Sequence, residues 1–278
     1  MIELMKLFTP VDALDGDEAR QYMGEHKEGT YTLLDVRQPW EYEEDHLPGA
    51  TLVPLGDLKE GTQNLDQEKP IVVYCAVGGR SRVAAQLLSG RGFKEVYNLS
   101  GGIKGFRGAK ASGPQELSLD LVRGDESPAE MLKLAFGLER ALGIFYEKCR
   151  GAAQDKDLVD LFTKLGRIEV VHKQKVYERY AALTPNAPDM AAFEADMTPD
   201  IMEGGFRLNE FLAANEPWLK TINQVLELGM MLETQALDLY LRFAEKSREE
   251  GTKQVLYTLA DEEKTHIKAL GKLMDEKR

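Results

Sequence analysis

The chain has 278 residues, 35 of them basic and 47 acidic, for a formal net charge of −12. Its 43% hydrophobic and 29% charged content, with both signs interspersed, excludes a disordered, collagen-like or low-complexity chain. The acidic balance makes nucleic acid a poor partner, and two cysteines, Cys75 and Cys149, exclude a disulfide framework or a four-cysteine metal site within one chain.

The length fits one large domain or two ordinary ones. No run of 18 uncharged apolar residues occurs, so no transmembrane helix is predicted. The opening MIELMKLFTP lacks the basic stretch and long apolar core of a secretory signal. A reducing cytoplasm is the expected compartment.

Residues 1–107 alternate short β runs with helical stretches. Strands are predicted at Thr32–Val36, Ala50–Val53, Ile71–Cys75 and Glu95–Leu99, each rich in β-branched residues and bounded by Gly, Pro or Asp. The IVVYC run is apolar throughout, as suits a strand covered on both faces. A helix follows at Ser81–Gly90, and the alternation predicts a small parallel α/β domain.

Cys75 ends the IVVYC strand and opens the loop Cys75-Ala76-Val77-Gly78-Gly79-Arg80-Ser81. Glycines between a strand and a helix let successive backbone N–H groups point inward, and the helix N-terminus adds positive potential. Arg80, and in some arrangements Arg82, add cationic side chains. Such a cradle stabilises a thiolate, a persulfide anion or a bound oxyanion and predicts a nucleophilic Cys75. The bland alternative is a buried structural cysteine at a strand end. Cys149 sits on a helix beside basic residues with no such context, and His26 belongs to no pattern, so both are read as incidental.

Around this loop the sequence resembles the rhodanese domain. The matching segments are Leu34-Asp35-Val36-Arg37 with Trp40-Glu41-Tyr42, the turn His46-Leu47-Pro48-Gly49-Ala50, and Asn98-Leu99-Ser100-Gly101-Gly102-Ile103. The resemblance implies that Cys75 accepts a sulfane sulfur from thiosulfate or a persulfide and passes it to a thiol or cyanide, with Ala76, Val77, Gly78, Gly79, Arg80 and Ser81 forming the substrate cradle. Asp35, Arg37 and His46 are expected to be structural or to shape the substrate. The six residues from Cys75 to Arg80 make a shorter loop than related phosphatases and arsenate reductases use, which favours sulfur transfer over tetrahedral oxyanion chemistry.

Residues 108–127 read as a linker punctuated by Gly, Ser and Pro. Residues 128–278 are then helical, with no convincing strand. Ser127 can cap the first helix, Pro128 suits its first turn and Glu130 completes a capping box. Long helices are predicted at 128–150, 155–182, 217–247 and 250–276, with Thr184–Glu216 as a crossover of short helices.

This half repeats itself at a shift of 94 residues. Leu132 matches Leu226, Leu134 matches Leu228, Leu138 matches Leu232 and Leu165 matches Leu259. Glu139 then meets Glu233, Tyr146 meets Tyr240, Glu169 meets Glu263 and His172 meets His266, without a gap. Two such helix pairs can form a four-helix bundle with pseudo-twofold symmetry. The i, i+3 spacing puts Glu169 with His172, and Glu263 with His266, on one helix face. Glu139 and Glu233 lie among apolar residues, where a carboxylate is costly unless neutralised. Four carboxylates and two imidazoles converging there would be balanced by two divalent cations, and oxygen-rich coordination suits iron or manganese better than structural zinc. A lone Glu-x-x-His is more often a solvated helix face, but two copies in register weigh against that. Glu262 precedes Glu263, and the register selects the second.

On these motifs residues 128–276 resemble the ferritin-like superfamily, in particular rubrerythrin-type di-iron proteins. The resemblance implies two irons, with manganese or zinc as substitutes. It makes Glu169 and Glu263 bridging ligands and Glu139 and Glu233 terminal ligands, with His172 and His266 each on one iron. By resemblance Tyr146 and Tyr240 hydrogen-bond ligands; by residue type alone they are ordinary core aromatics. The family's extra glutamate, one turn after the third-helix ligand, is Ala236 here, which puts redox-driven ligand exchange in doubt. The family's rubredoxin module is also missing, so electrons would come from a separate, rubredoxin-like donor.

The expected protein is therefore a cytoplasmic rhodanese-type sulfurtransferase joined to a di-iron domain of peroxide or oxygen chemistry. Its expected partners are a sulfane sulfur donor, a thiol acceptor and a second copy of itself, with neither nucleic acid nor membrane. The competing expectations are a non-enzymatic persulfide carrier or sensor on a metal-binding scaffold, and a peroxide scavenger whose first domain only binds a partner.

Overall fold

The computed structural model of the protein describes residues 11–197 and 200–276, so the opening segment MIELMKLFTP lies outside the described residues. The chain divides into two compact units at Leu117 and Ser118.

In the first unit the elements run β1 (Asp12–Leu14), α1 (Gly16–Glu25), β2 (Thr32–Asp35), α2 (Pro39–Glu44), β3 (Thr51–Leu52), α3 (Leu58–Gly61), β4 (Ile71–Tyr74), α4 (Gly79–Gly90), β5 (Val96–Leu99) and α5 (Gly102–Gly105). The five described strands pair in parallel, in the order β1-β5-β4-β2-β3. The central strand β4 is buried at every position because both faces are covered. Leu34 and Val73 join one apolar cluster with Ala84, Ala85 and Leu88 of α4, while Leu33, Val72 and Tyr74 join another with Ala19 of α1 and Ile103 of α5.

The sequence reading missed β1. Three residues, one of them Asp12, are too few to display alternation, and the strand forms because Asp12–Leu14 pairs with Tyr97–Leu99. The predicted strands at Ala50–Val53 and Thr32–Val36 are shorter than expected, and Cys75 lies just beyond β4.

The second unit contains α6 (Pro128–Ala152), α7 (Lys156–Leu183), α8 (Met190–Ala195), β6 (Ile201–Met202), β7 (Phe206–Arg207), α9 (Leu208–Asn215), α10 (Ile222–Lys246) and α11 (Glu250–Glu276). Helices α6 and α7 pack as one hairpin and α10 and α11 as another. The Ser127 capping box is present, with Glu130 reciprocating. Helix α10 starts at Ile222 rather than at 217. Residues Glu216–Trp218 form a separate 3₁₀ turn, and Thr221 with Gln224 makes a capping box that fixes the later start. Among the described residues of this unit the strands are β6 and β7, a two-residue antiparallel ladder in the crossover that the sequence reading did not foresee.

The residues read as linker are ordered within their own units. His46 and Ala111 exchange backbone hydrogen bonds in the first unit, and Lys246 Nζ donates to the carbonyls of Leu119 and Val122 in the second.

Each long helix of the second unit contributes to two apolar clusters. Leu138 of α6, Val176 of α7, Ala236 of α10 and Leu259 of α11 belong to one. Leu142 of α6, Leu165 of α7, Leu232 of α10 and Leu270 of α11 belong to the other. Glu139, Glu169, His172, Glu233, Glu263 and His266 fall between the two along the sequence of each helix. Among the described residues no helix is long and apolar enough to cross a membrane.

Candidate functional site

Cys75 sits at the floor of its loop, 1% exposed, where the end of β4 delivers it to the N-terminus of α4. Gly78 caps that helix with φ of +92°, a conformation glycine adopts without strain, and its N–H donates to Cys75 Sγ at 3.2 Å. Ser81 Oγ lies 3.5 Å from Sγ and 2.7 Å from Asn98 Oδ1. Burial alone would push the Cys75 thiol up. The Ser81 hydroxyl and the backbone N–H groups of Ser81, Val77 and Gly78 outweigh it and hold the thiol below its ordinary value.

The segment after β5 clamps this loop from behind. Ile103 N–H donates to the Cys75 carbonyl at 2.9 Å and Lys104 N–H to the Ala76 carbonyl at 3.2 Å. The approach requires Gly102, with φ of +60°, because a Cβ there would lie 2.3 Å from the Cys75 carbonyl oxygen. The Asn98–Ile103 motif is thus a backbone support for the cysteine loop.

Arg80 has two partners: it forms a two-pronged ion pair with Glu41, at 2.7 and 2.6 Å, and its charge also interacts with the Cys75 thiol. The hydrogen bond from Arg80 is the largest influence on Glu41, which it lowers to about 2 against an opposing effect of burial. The Ser81 hydroxyl and the backbone N–H groups thus lower the thiol, with the paired Arg80 guanidinium interacting beside them. Asp35 and Arg37 form a buried pair at 2.7 Å, and Arg37 also reaches Asp45 at 3.2 Å. His46 stacks on Tyr42 and shares its Nδ1 with the Tyr42 carbonyl. These contacts set all three residues in the framework around the loop.

In the second unit, ligand atoms of Glu139, Glu169 and His172 lie within 4.8 Å of one another, as do those of Glu233, Glu263 and His266. His172 Nδ1 is 3.2 Å from Glu169 Oε2 and 3.5 Å from Glu139 Oε2. His266 Nδ1 is 2.9 Å from Glu263 Oε2 and 3.2 Å from Glu233 Oε2. The two halves of the repeat thus cluster the same residue types, with His266 hydrogen-bonded to its carboxylates and His172 not. All four carboxylates are buried, at 1 to 3% exposure. Glu139 Oε2, Glu169 Oε2 and His172 Nδ1 have no hydrogen-bond partner among the described residues.

Burial pushes Glu139 up to about 8 and Glu169 and Glu263 well above the usual carboxylate range. Glu233 alone is lowered, because hydrogen bonds to His266 and Glu263 overcome the effect of burial. Unpartnered buried oxygens, converging imidazole nitrogens and mutual repulsion fit a pair of divalent cations in chemistry and charge. Beside this cluster a groove of about 750 Å³ is lined by His172 and His266 together with Lys164, Arg167 and Lys175.

Comparison with known proteins bears on the first unit. The sequence model of the rhodanese-like domain matches residues 17–109. The thiosulfate sulfurtransferase GlpE of Coxiella burnetii is 41% identical over 78 residues, which cover 28% of this chain and 73% of that protein. The chain belongs to the rhodanese-like family.

Other relatives are longer than the matched part. The chain spans 60% of YqhL of Bacillus subtilis, at 43% identity, and 41% of the putative sulfur carrier protein YrkF from the same organism, at 37%. Among solved structures, an Escherichia coli rhodanese with anions is 34% identical, covering 30% of this chain and 99% of its own, with a TM-score of 0.28.

The rhodanese-like unit places the Gly78 N–H and the Ser81 hydroxyl beside Cys75 Sγ, and the second unit brings together all six predicted carboxylate and imidazole residues. Glu262 points elsewhere, pairing with Arg179 at 2.6 Å. Tyr146 and Tyr240 are buried, but the Tyr240 hydroxyl makes no hydrogen bond among the described residues, so it does not orient a ligand as the resemblance implied. Cys149 is buried and its thiol is pushed up to about 12, in keeping with an inert role. Sequence reasoning missed Glu203. It is fully buried with both carboxylate oxygens unpartnered, and one of them lies within 4.8 Å of ligand atoms of Glu139 and Glu263. Glu203 lies in the crossover, outside the repeat, so the 94-residue register could not reveal it. The available signal was an acidic residue inside the otherwise apolar and glycine run IMEGGF.

Proposed function

We propose that the protein is a sulfurtransferase working through a Cys75 persulfide, joined to a ferritin-like helical unit that holds two metal ions. The observation that carries the first part is the Cys75 thiol, held below its ordinary value by the Ser81 hydroxyl and three inward N–H groups. Cys75 thiolate attacks the outer sulfur of a donor such as thiosulfate. The new S–S bond forms as the bond to the sulfonate sulfur breaks, and sulfite leaves with the electron pair. An acceptor thiolate or cyanide then attacks the outer sulfur of the persulfide and restores the Cys75 thiolate. The same N–H groups that hold the thiolate serve the persulfide anion.

In the second unit Glu139, Glu169 and His172 would hold one ion, and Glu233, Glu263 and His266 the other. Bound iron would supply redox chemistry with peroxide or dioxygen, using electrons from a separate donor. The chain's contribution is a dry, anionic pocket that fixes the two ions between apolar layers. The groove lined by Lys164, Arg167 and Lys175 reaches His172 and His266 and would give small polar molecules access to that edge.

The test is thiosulfate:cyanide turnover of the full chain and its Cys75→Ala variant, beside elemental analysis. Turnover lost with Cys75 and two metal ions per chain are expected. Equal turnover in both proteins would overturn the sulfur-transfer reading, and metal-free protein after anaerobic preparation would overturn the second.

A further inference from the structure

The crossover between the two helical hairpins inserts one acidic side chain into the polar layer. Glu203 lies at the turn between β6 and β7, where Met202 pairs with Phe206. Gly204 and Gly205 follow it with φ of +76° and +80°, a pair of left-handed residues that turns the backbone sharply. The turn is pressed against α10: a Cβ on Gly204 would lie 2.8 Å from the Gln235 Cβ. Beside Gln235 stands Ala236, a small and buried residue on the same helix.

This construction leaves Glu203 at 0% exposure with neither carboxylate oxygen paired. An isolated carboxylate in such a place is strongly disfavoured unless a cation or proton neutralises it. No lysine or arginine is hydrogen-bonded to it among the described residues. Its neighbours within 4.8 Å are Glu139, from the first Glu-His set, and Glu263, from the second. Glu203 thus stands where both halves of the repeat meet.

We infer that Glu203 is a fifth carboxylate ligand of the dimetal centre, delivered by the crossover and shared between the two halves. The inference rests on the two-ion reading above and adds to it a ligand that the repeat does not contain. Five carboxylates exceed the charge of two divalent cations by one, so Glu203 raises the centre's preference for cations of higher total charge. It also makes the nearly symmetric pair of sites unequal.

The experiment uses the full chain, stripped of metal by chelation, and manganese(II) alone as the probe. Calorimetric titration and thermal melting are run on wild type, Glu203→Gln and Glu203→Asp. Wild type is expected to bind two ions. In both variants at least one site should weaken about tenfold or more, as losing or displacing a ligating contact does. Metal-free Glu203→Gln should melt no lower than metal-free wild type, because the substitution removes an unpaired buried charge. If both variants bind two ions as tightly as wild type, the ligand assignment falls while the two-ion reading stands. If metal-free Glu203→Gln melts below wild type, the carboxylate is a structural element and the inference is overturned. If wild type binds no manganese(II), both readings fall together.

Discussion

The imidazole rings of His172 and His266 stack face to face, with centroids 3.6 Å apart and planes inclined by 6°. They come from equivalent positions in the two halves of the repeat, and each turns its Nδ1 toward the carboxylates of its own half. The stack fixes both rings at once, and under the two-ion proposal each histidine would be the nitrogen donor of one ion. Substituting one of them should remove one ion and spare the other. Elemental analysis of His172→Ala and His266→Ala should give about one metal per chain against two in wild type. Two tightly held ions in both variants would rule out this division of ligands.

The carboxylate layer makes the metal-free second unit sensitive to pH in a definite direction. Glu139 is raised to about 8 in the folded protein, and Glu169 and Glu263 are raised well above the usual range, chiefly by burial. A raised carboxyl binds more protons folded than unfolded, so folding stability falls as pH rises through that interval. Metal-free protein should therefore melt progressively lower between about pH 4.5 and 8. Saturating metal should flatten this slope, and loading at pH 7 should release protons into weak buffer. A metal-free melting temperature that climbs over the same range would contradict the buried-carboxylate account.

The sequence disclosed what repeats or follows a local rule. The 94-residue register placed Glu139, Glu169, His172 and their counterparts because helical spacing converts directly into a shared face. The glycine-rich run after Cys75 disclosed a backbone cradle for the same local reason. What stayed hidden depends on contacts between distant segments. Strand β1 exists only through its pairing with β5, and Arg80 turns to Glu41, thirty-nine positions earlier in the chain. Glu203 reaches the polar layer only because β6 and β7 fold the crossover back onto α10, and no periodicity marks that return.

The Ser81 hydroxyl is one of the groups that hold the Cys75 thiol below its ordinary value. This hydroxyl lies between Sγ and Asn98 Oδ1, and a hydroxyl has a single hydrogen to give. Ser81→Ala removes that donor and leaves the backbone N–H groups, so the Cys75 thiol should titrate higher while the loop persists. The rate of alkylation by a small reagent, followed against pH, should shift to higher pH in the variant. Cys149, pushed up to about 12, should stay unmodified near neutral pH in both proteins, so peptide mapping separates the two sites. An unchanged profile in Ser81→Ala would leave the stabilisation to the backbone alone.

Gly102 is the position at which the loop's rear support is most exposed to disruption. Its φ of +60° is strained for any residue with a Cβ, and that Cβ would stand 2.3 Å from the Cys75 carbonyl oxygen and 2.6 Å from the Ala76 carbonyl oxygen. These are backbone atoms held by the Ile103 and Lys104 N–H groups, so they cannot move without breaking the bonds that place the cysteine. Gly102→Ala should destabilise the first unit by about 2 kcal/mol or more, the sum of left-handed strain and a forced shift of the loop. Thiosulfate:cyanide turnover should fall with it even at temperatures where the unit remains folded, since the N–H groups no longer aim at Sγ. Denaturant unfolding reads the first effect and steady-state rates at low temperature read the second. Gly101→Ala supplies the comparison: a Cβ there meets only Gly105 Cα at 3.7 Å. Its φ of +80° adds strain without the clash, so it should cost less stability and preserve more turnover.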